Sequence, residues 1–438
     1  MPPTKKKKPS QSASPKPHYT HHYKDPLREY HPATSVILAG YRSRLSEGAV
    51  KAPVFRTSTF EFASAADGAK FFERAYHLPG NDGKEPGLVY SRINNPNIEI
   101  TEDKLVAAEI GATAAALFPS GMSAITTTIL ALVPKGGKIL YSSPVYGGSY
   151  LFFKEFCPKR FGITAHGVDM SDLANVKDIL RKEGPFDMVF IETPANPTLT
   201  MTDIETVTGF ARQFSGPKTL IAVDNTFLGP VFQSPFRLGA DIVLYSATKF
   251  LGGHSDIIAG AVLTRSKEHI GPIRDYRTIL GATVAPDTAW LLARSIETVW
   301  VRMARQAEKA MKVATALSHH PKVAKVLFPG LLTKSDGSNW KTYHRQCTGT
   351  GAVMSFYLKK NDRASAFRFL DAVRICHLAV SLGGTESLIQ HPRSMTHSDM
   401  TPADLDECEI TESMIRLSVG LESSDDLIAD LTHALKAI

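Results

Sequence analysis

Short apolar runs recur through the middle of this chain, at 114–118, 138–141, 163–168, 188–192, 220–224, 242–245 and 259–264, with segments of helical spacing between most of them. Runs of this length, bounded by Gly, Pro, Ser and Asp, read as strands rather than buried helices. Strands that alternate with helices specify an α/β fold with a mostly parallel sheet covered on both faces. Such sheets bind ligands just beyond the carboxyl ends of their strands. The residues that follow each run are therefore where function should lie.

Beyond the run 241–244 comes Tyr245-Ser246-Ala247-Thr248-Lys249-Phe250-Leu251-Gly252-Gly253-His254-Ser255-Asp256. A lysine at a strand end can condense with an aldehyde cofactor, Ser246 and Thr248 offer hydroxyls to a phosphate, and Gly252-Gly253 let the backbone pass close to a ring. Ser-x-Thr-Lys is short, and alone it fits a solvated loop lysine better. A second feature lies upstream, where the strand pattern 219–223 ends in Asp224-Asn225-Thr226. An aspartate facing a pyridine nitrogen keeps the ring protonated and electron-withdrawing. After 114–118, Ser120-Gly121-Met122-Ser123 opens a helix to about Leu132, so the free amides of Gly121 and Met122 are suited to a phosphate.

Val223-Asp224-Asn225-Thr226, Ser246-Ala247-Thr248-Lys249 and the glycines after it resemble the cystathionine γ-synthase, cystathionine γ-lyase and methionine γ-lyase family of pyridoxal-phosphate enzymes. The similarity runs from about Thr34 to the C-terminus. It implies pyridoxal 5'-phosphate as cofactor and fold type I, a mostly parallel sheet domain with a smaller C-terminal α+β domain. The expected divisions are a disordered basic tail at 1–31, an arm contacting a partner subunit at 32–93, the cofactor-binding domain at 94–293 and the C-terminal domain at 294–438. One long amphipathic helix is expected from Pro286 to about His320.

The resemblance also assigns roles. Lys249 is the cofactor lysine and Asp224 the partner of the ring nitrogen. Tyr146, in Ser142-Ser143-Pro144-Val145-Tyr146-Gly147-Gly148, stacks on the ring and protonates the leaving group. Asn196, in Thr193-Pro194-Ala195-Asn196-Pro197, meets the phenolic oxygen. Tyr90 and Arg92, in Tyr90-Ser91-Arg92-Ile93-Asn94-Asn95-Pro96, bind the phosphate of the neighbouring subunit's cofactor, which implies a homodimer or homotetramer with shared sites. Arg416 forks onto the substrate's α-carboxylate with Ser381 nearby, and an arginine in an apolar strand does need an anion to offset its desolvation.

The resemblance implies removal of an α-proton, then a β-proton, then loss of the γ-substituent. The sequel is γ-elimination, giving a 2-oxo acid, ammonia and a thiol, or γ-replacement on an O-acylhomoserine. Val380 stands where the cystathionine enzymes often have Glu and agrees with methionine γ-lyase, as does Gln390-His391-Pro392 followed by Ser394-Met395-Thr396-His397. Gly148 replaces the lyase's cysteine, and Arg277-Thr278 replaces its Lys-Asp pair. Elimination on a methionine-like or cystathionine-like amino acid is the expectation.

Net charge bears on partners. The chain has a formal charge of +7, but residues 1–30 hold seven basic residues against Asp25 and Glu29. The remainder is close to neutral, so no basic groove for nucleic acid is expected. No stretch has the roughly 18 apolar residues of a membrane span. Cys157, Cys347, Cys376 and Cys408 show no metal-ligand spacing and no pairing pattern, which points to the cytoplasm. A silent scaffold would have no need to keep Lys249, Asp224, Tyr146, Arg92 and Arg416 together.

Overall fold

The computed structural model describes residues 30–76, 78–84 and 87–438. The expected tail lies outside the described residues up to position 29. From His31, whose side chain caps a short helix Pro32–Leu38, the chain is described almost continuously.

The runs become β1 (Ala114–Phe118), β2 (Lys138–Ser142), β3 (Thr164–Val168), β4 (Met188–Glu192), β5 (Leu220–Asp224), β6 (Ile242–Tyr245) and β7 (Gly260–Thr264). They form a seven-stranded sheet in the order β1-β7-β6-β5-β4-β2-β3. All neighbours pair in parallel except those of β7, which is antiparallel to both β6 and β1. A parallel return would require a crossover on one face of the sheet. Because β7 runs backward, residues 246–259 pass directly from β6 to β7 and stay at the carboxyl edge. Lys249 is held there by topology.

Leucine, isoleucine, valine and phenylalanine from both faces of the sheet are buried, in keeping with strands covered on two sides. The helix Gly121–Leu132, which follows β1, starts against the lysine loop. A Cβ on Gly121 would lie 2.9 Å from that of Ser246. Glycine is what lets the two turns meet.

A second sheet contains β8 (Val323–Leu327), β9 (Val353–Leu358), β10 (His377–Leu378), β11 (Leu388–Gln390) and β12 (Met414–Ser418) in the order β10-β11-β12-β9-β8. The helix expected over 286–320 is two helices, Pro286–Ile296 and Val299–Ser318. At the break, the Ser295 carbonyl that should receive the Val299 amide instead accepts from Thr298 N at 3.2 Å, Thr298 Oγ1 at 3.1 Å and Arg302 Nη2 at 2.8 Å. Three donors on one oxygen end the ladder. No helix of the described residues is long and apolar enough to cross a membrane.

Candidate active site

A cavity of about 1100 Å³ opens at the carboxyl edge of the large sheet and is closed on one side by residues 377–388 and Arg416. Gly121, Met122, Tyr146, Asn196, Asp224, Ser246, Thr248, Lys249, Val380, Ser381 and Arg416 all line it. The sequence scatters them over some three hundred positions; five strand ends, one loop and the strand β12 bring them together.

Lys249 Nζ donates to Ser381 Oγ at 2.6 Å. Burial, with help from the nearby charge of Arg416, pulls the ammonium down to about 8. Uncharged lysine is thus accessible near neutral pH, which a nucleophilic or proton-accepting amine requires. Ser381 has φ of 88°, an uncommon backbone state for a residue with a side chain. Its hydroxyl meets Lys249, while its carbonyl accepts from Arg416 Nη2 at 2.8 Å. Arg416 Nη1 donates to Asn196 Oδ1 at 3.1 Å. This guanidinium is buried, lies near only neutral acceptors, and is lowered to about 10 by that burial. An anion is what it lacks.

On the opposite wall stand two carboxyl groups. Glu192 and Asp224 end β4 and β5 as direct cross-strand partners. Burial raises both carboxyls, and for Glu192 the charge of Asp224 adds to the effect. Asp224 Oδ1 accepts from Thr226 N and Thr226 Oγ1, and the hydrogen bonds it makes in the described chain all fall on that one oxygen. Thr226 Oγ1 in turn accepts from Ser246 N at 2.9 Å, which ties the aspartate to the lysine loop.

These groups fit pyridoxal phosphate. Ser120 caps its helix by accepting from Ser123 N at 3.0 Å, and the first amides of that helix, Gly121 and Met122, face the cavity as an anion site. The carboxylate pair calls for a protonated ring nitrogen. Asn196 has spent its oxygen on Arg416 and keeps Nδ2 for an acceptor. Thr248 fits less well, since its hydroxyl donates to the Ala259 carbonyl at 3.1 Å and accepts from Ala259 N at 3.0 Å.

Tyr90 and Arg92, expected to serve a neighbouring subunit, do not line this cavity; Arg92 Nη1 donates to the Thr278 carbonyl at 2.9 Å and Tyr90 is exposed. Two features depart from the sequence expectation. Arg277 is a buried structural cation, 2.6 Å from Glu102. Gly253 makes room for a different group than a cofactor ring, since a Cβ there would lie 1.8 Å from Arg302 Nη1. Arg302 donates to the carbonyls of Phe250 at 2.7 Å and Leu251 at 3.3 Å, so it holds the loop just past Lys249.

Sequence reasoning also missed Glu192 and His397. His397 is fully buried, kept neutral by burial and the neighbouring charge of Arg416, and lies 3.3 Å from the Asn196 carbonyl through Nε2. The available signal for Glu192 was a carboxylate closing an otherwise apolar run.

Residues 33–436 match the profile of the family described as Cys/Met metabolism PLP-dependent enzyme. An L-methionine gamma-lyase of Fusobacterium nucleatum subsp. polymorphum is 39% identical over 413 residues, covering 94% of this chain and 99% of the relative. The crystal structure of cystathionine gamma synthase from Xanthomonas oryzae pv. oryzae superposes with a TM-score of 0.83 at 34% identity, over 93% of this chain and 98% of that one. Cystathionine gamma-lyase from Lactobacillus plantarum gives a TM-score of 0.82 at 34% identity, over 93% and 99% respectively.

Proposed function

The chain belongs to the Cys/Met metabolism PLP-dependent enzymes, and on that premise we propose that it catalyses γ-elimination on a sulfur amino acid such as methionine or cystathionine, giving a 2-oxo acid, ammonia and a thiol. The observation that carries this reading is the placement around one cavity of a lysine amine, a carboxyl pair and a guanidinium that form no ion pair among the described residues. Gly121, Met122 and Ser246 would hold the cofactor's phosphate, Asp224 its ring nitrogen, Asn196 its phenolic oxygen, Tyr146 its ring face and Lys249 its aldehyde. When bound, pyridoxal phosphate supplies an electron sink for charge that develops on the substrate's carbon chain.

The protein's own share is orientation and proton movement. Arg416 takes the substrate's α-carboxylate and so fixes which Cα bond faces Lys249. The Lys249 amine removes the proton from Cα, and a second proton must leave Cβ before the substituent on Cγ can depart. Tyr146 Oη gives a proton to the departing sulfur on Cγ. Val380, half exposed on the cavity wall, offers an apolar contact suited to a methyl thioether. Replacement on an O-acylhomoserine is the second reading. A Cβ at Gly148 would come within 2.8 Å of the Tyr146 ring, so glycine and this ring position go together. Assays of 2-oxo acid and thiol release from methionine, cystathionine, homocysteine and O-acetylhomoserine, with and without added thiol, separate the two. Product from O-acetylhomoserine plus thiol alone would refute elimination.

We further propose a homodimer or homotetramer in which Tyr90 and Arg92 serve the partner's site. Their distance from their own cavity supports this, as do the exposed Tyr276, Ile279 and Leu280 on the helix Lys267–Leu280 that Arg92 touches. The four cysteines are unpaired, which supports a reducing cytoplasm.

A further inference from the structure

Glu192 is buried at the end of β4 and lines the cavity, yet forms no ion pair with any described cation. Its two oxygens serve two different segments. Oε2 accepts the backbone N–H of Tyr146 at 3.1 Å, and Oε1 accepts that of Asn196 at 2.8 Å. These are the hydrogen bonds those two amides make within the described chain. The amide of Glu192 itself donates to Ser142 Oγ at 2.9 Å, which ties the end of β4 to β2.

A carboxamide could accept only one such amide well, because its nitrogen carries hydrogens. Two N–H donors converging on one side chain from separate loops therefore call for a carboxylate. That choice is expensive here, since a second buried carboxylate, Asp224, stands beside it in register. A chain seeking only stability would avoid the arrangement. We propose that Glu192 is a positioning residue that sets Tyr146 and Asn196 together. Through the first it places the proton donor to the leaving group. Through the second, whose Oδ1 receives Arg416 Nη1, it places the carboxylate-binding guanidinium. This rests on the roles given above to Tyr146 and Arg416.

The test is Glu192→Gln in the holoenzyme, with kcat and KM for methionine and the dissociation constant of pyridoxal phosphate measured separately. One of the two amides must lose its acceptor, so kcat/KM should fall about tenfold or more, with KM raised and cofactor bound more weakly. Unchanged constants would overturn the proposal. So would a loss of kcat alone, at unchanged KM and cofactor affinity, since fewer folded molecules would explain it. If the variant does not fold, amide hydrogen exchange in the wild-type protein decides. The Tyr146 and Asn196 amides should be protected, and rapid exchange of both would overturn the assignment. A wild-type protein that binds cofactor but releases no thiol or 2-oxo acid from any sulfur amino acid refutes the parent reading instead, and the exchange result still stands.

Discussion

Two guanidinium groups are equally buried in this molecule and are treated in opposite ways. Arg277 and Arg416 are each 3% exposed. Arg277 meets Glu102 at 2.6 Å, and the other oxygen of that carboxylate takes Arg274 at 2.9 Å, so the charges close within the chain. Among the described residues, Arg416 donates to the Ser381 carbonyl and the Asn196 amide oxygen and to no carboxylate. A buried cation without an anion is costly. The fold completes the first cluster from its own sequence and leaves the second without an anion among the described residues.

Substitution should expose that contrast. Arg416→Ala is expected to lower kcat/KM for methionine about 1000-fold, or roughly 4 kcal/mol, while folding stability measured by urea is unchanged or improved. Arg277→Ala should do the reverse, destabilising the protein by about 3 kcal/mol with kcat/KM per folded molecule retained. If Arg416→Ala unfolds the protein, or Arg277→Ala abolishes turnover without unfolding it, the contrast is wrong.

Lys249 extends the comparison to pH. Its folded-state value is about 8 against the ordinary 10.5. Between those values the unfolded chain binds more protons than the folded one, so the cofactor-free protein gains stability as pH rises through that window. Below it the penalty is complete, on the order of 3 kcal/mol. Lys249→Met should remove the slope, as checked by urea unfolding of the cofactor-free protein at about pH 7.5 and about pH 10. An equal slope in the variant would mean that another group titrates there.

The smallest effect concerns Val380. A carboxylate there could pair with the distal ammonium of cystathionine, whereas valine leaves that charge unmatched. Val380→Glu should therefore shift the ratio of kcat/KM for cystathionine over methionine about tenfold, or 1.4 kcal/mol. An unmoved ratio would make Val380 a packing residue only.

The strands and most of the site were legible in the sequence because apolar runs with polar ends leave a local trace, and Lys249, Asp224, Asn196 and Arg416 each sit within or just beyond one. What escaped was set by contacts distant in sequence. Nothing near Ser295 announces that its carbonyl will be taken by Arg302 and a helix broken there. Gly253 reads as freedom beside a ring until Arg302 is seen against it. Arg277-Thr278 reads as a substrate-site exchange until Glu102, far upstream, is found against the arginine. Glu192 reads as the polar end of a strand, and only the two amides that converge on it reveal otherwise.

Ser381 has one more consequence. Its hydroxyl receives Lys249 and its carbonyl receives Arg416, through a backbone held at φ of 88°. The amine of Lys249 and the guanidinium of Arg416 thus share a single residue as partner. Under the proposed function, a substrate carboxylate that draws on Arg416 would bear on the residue that also seats Lys249. The carboxylate end of such a substrate and the amine would thereby be linked through one bent peptide.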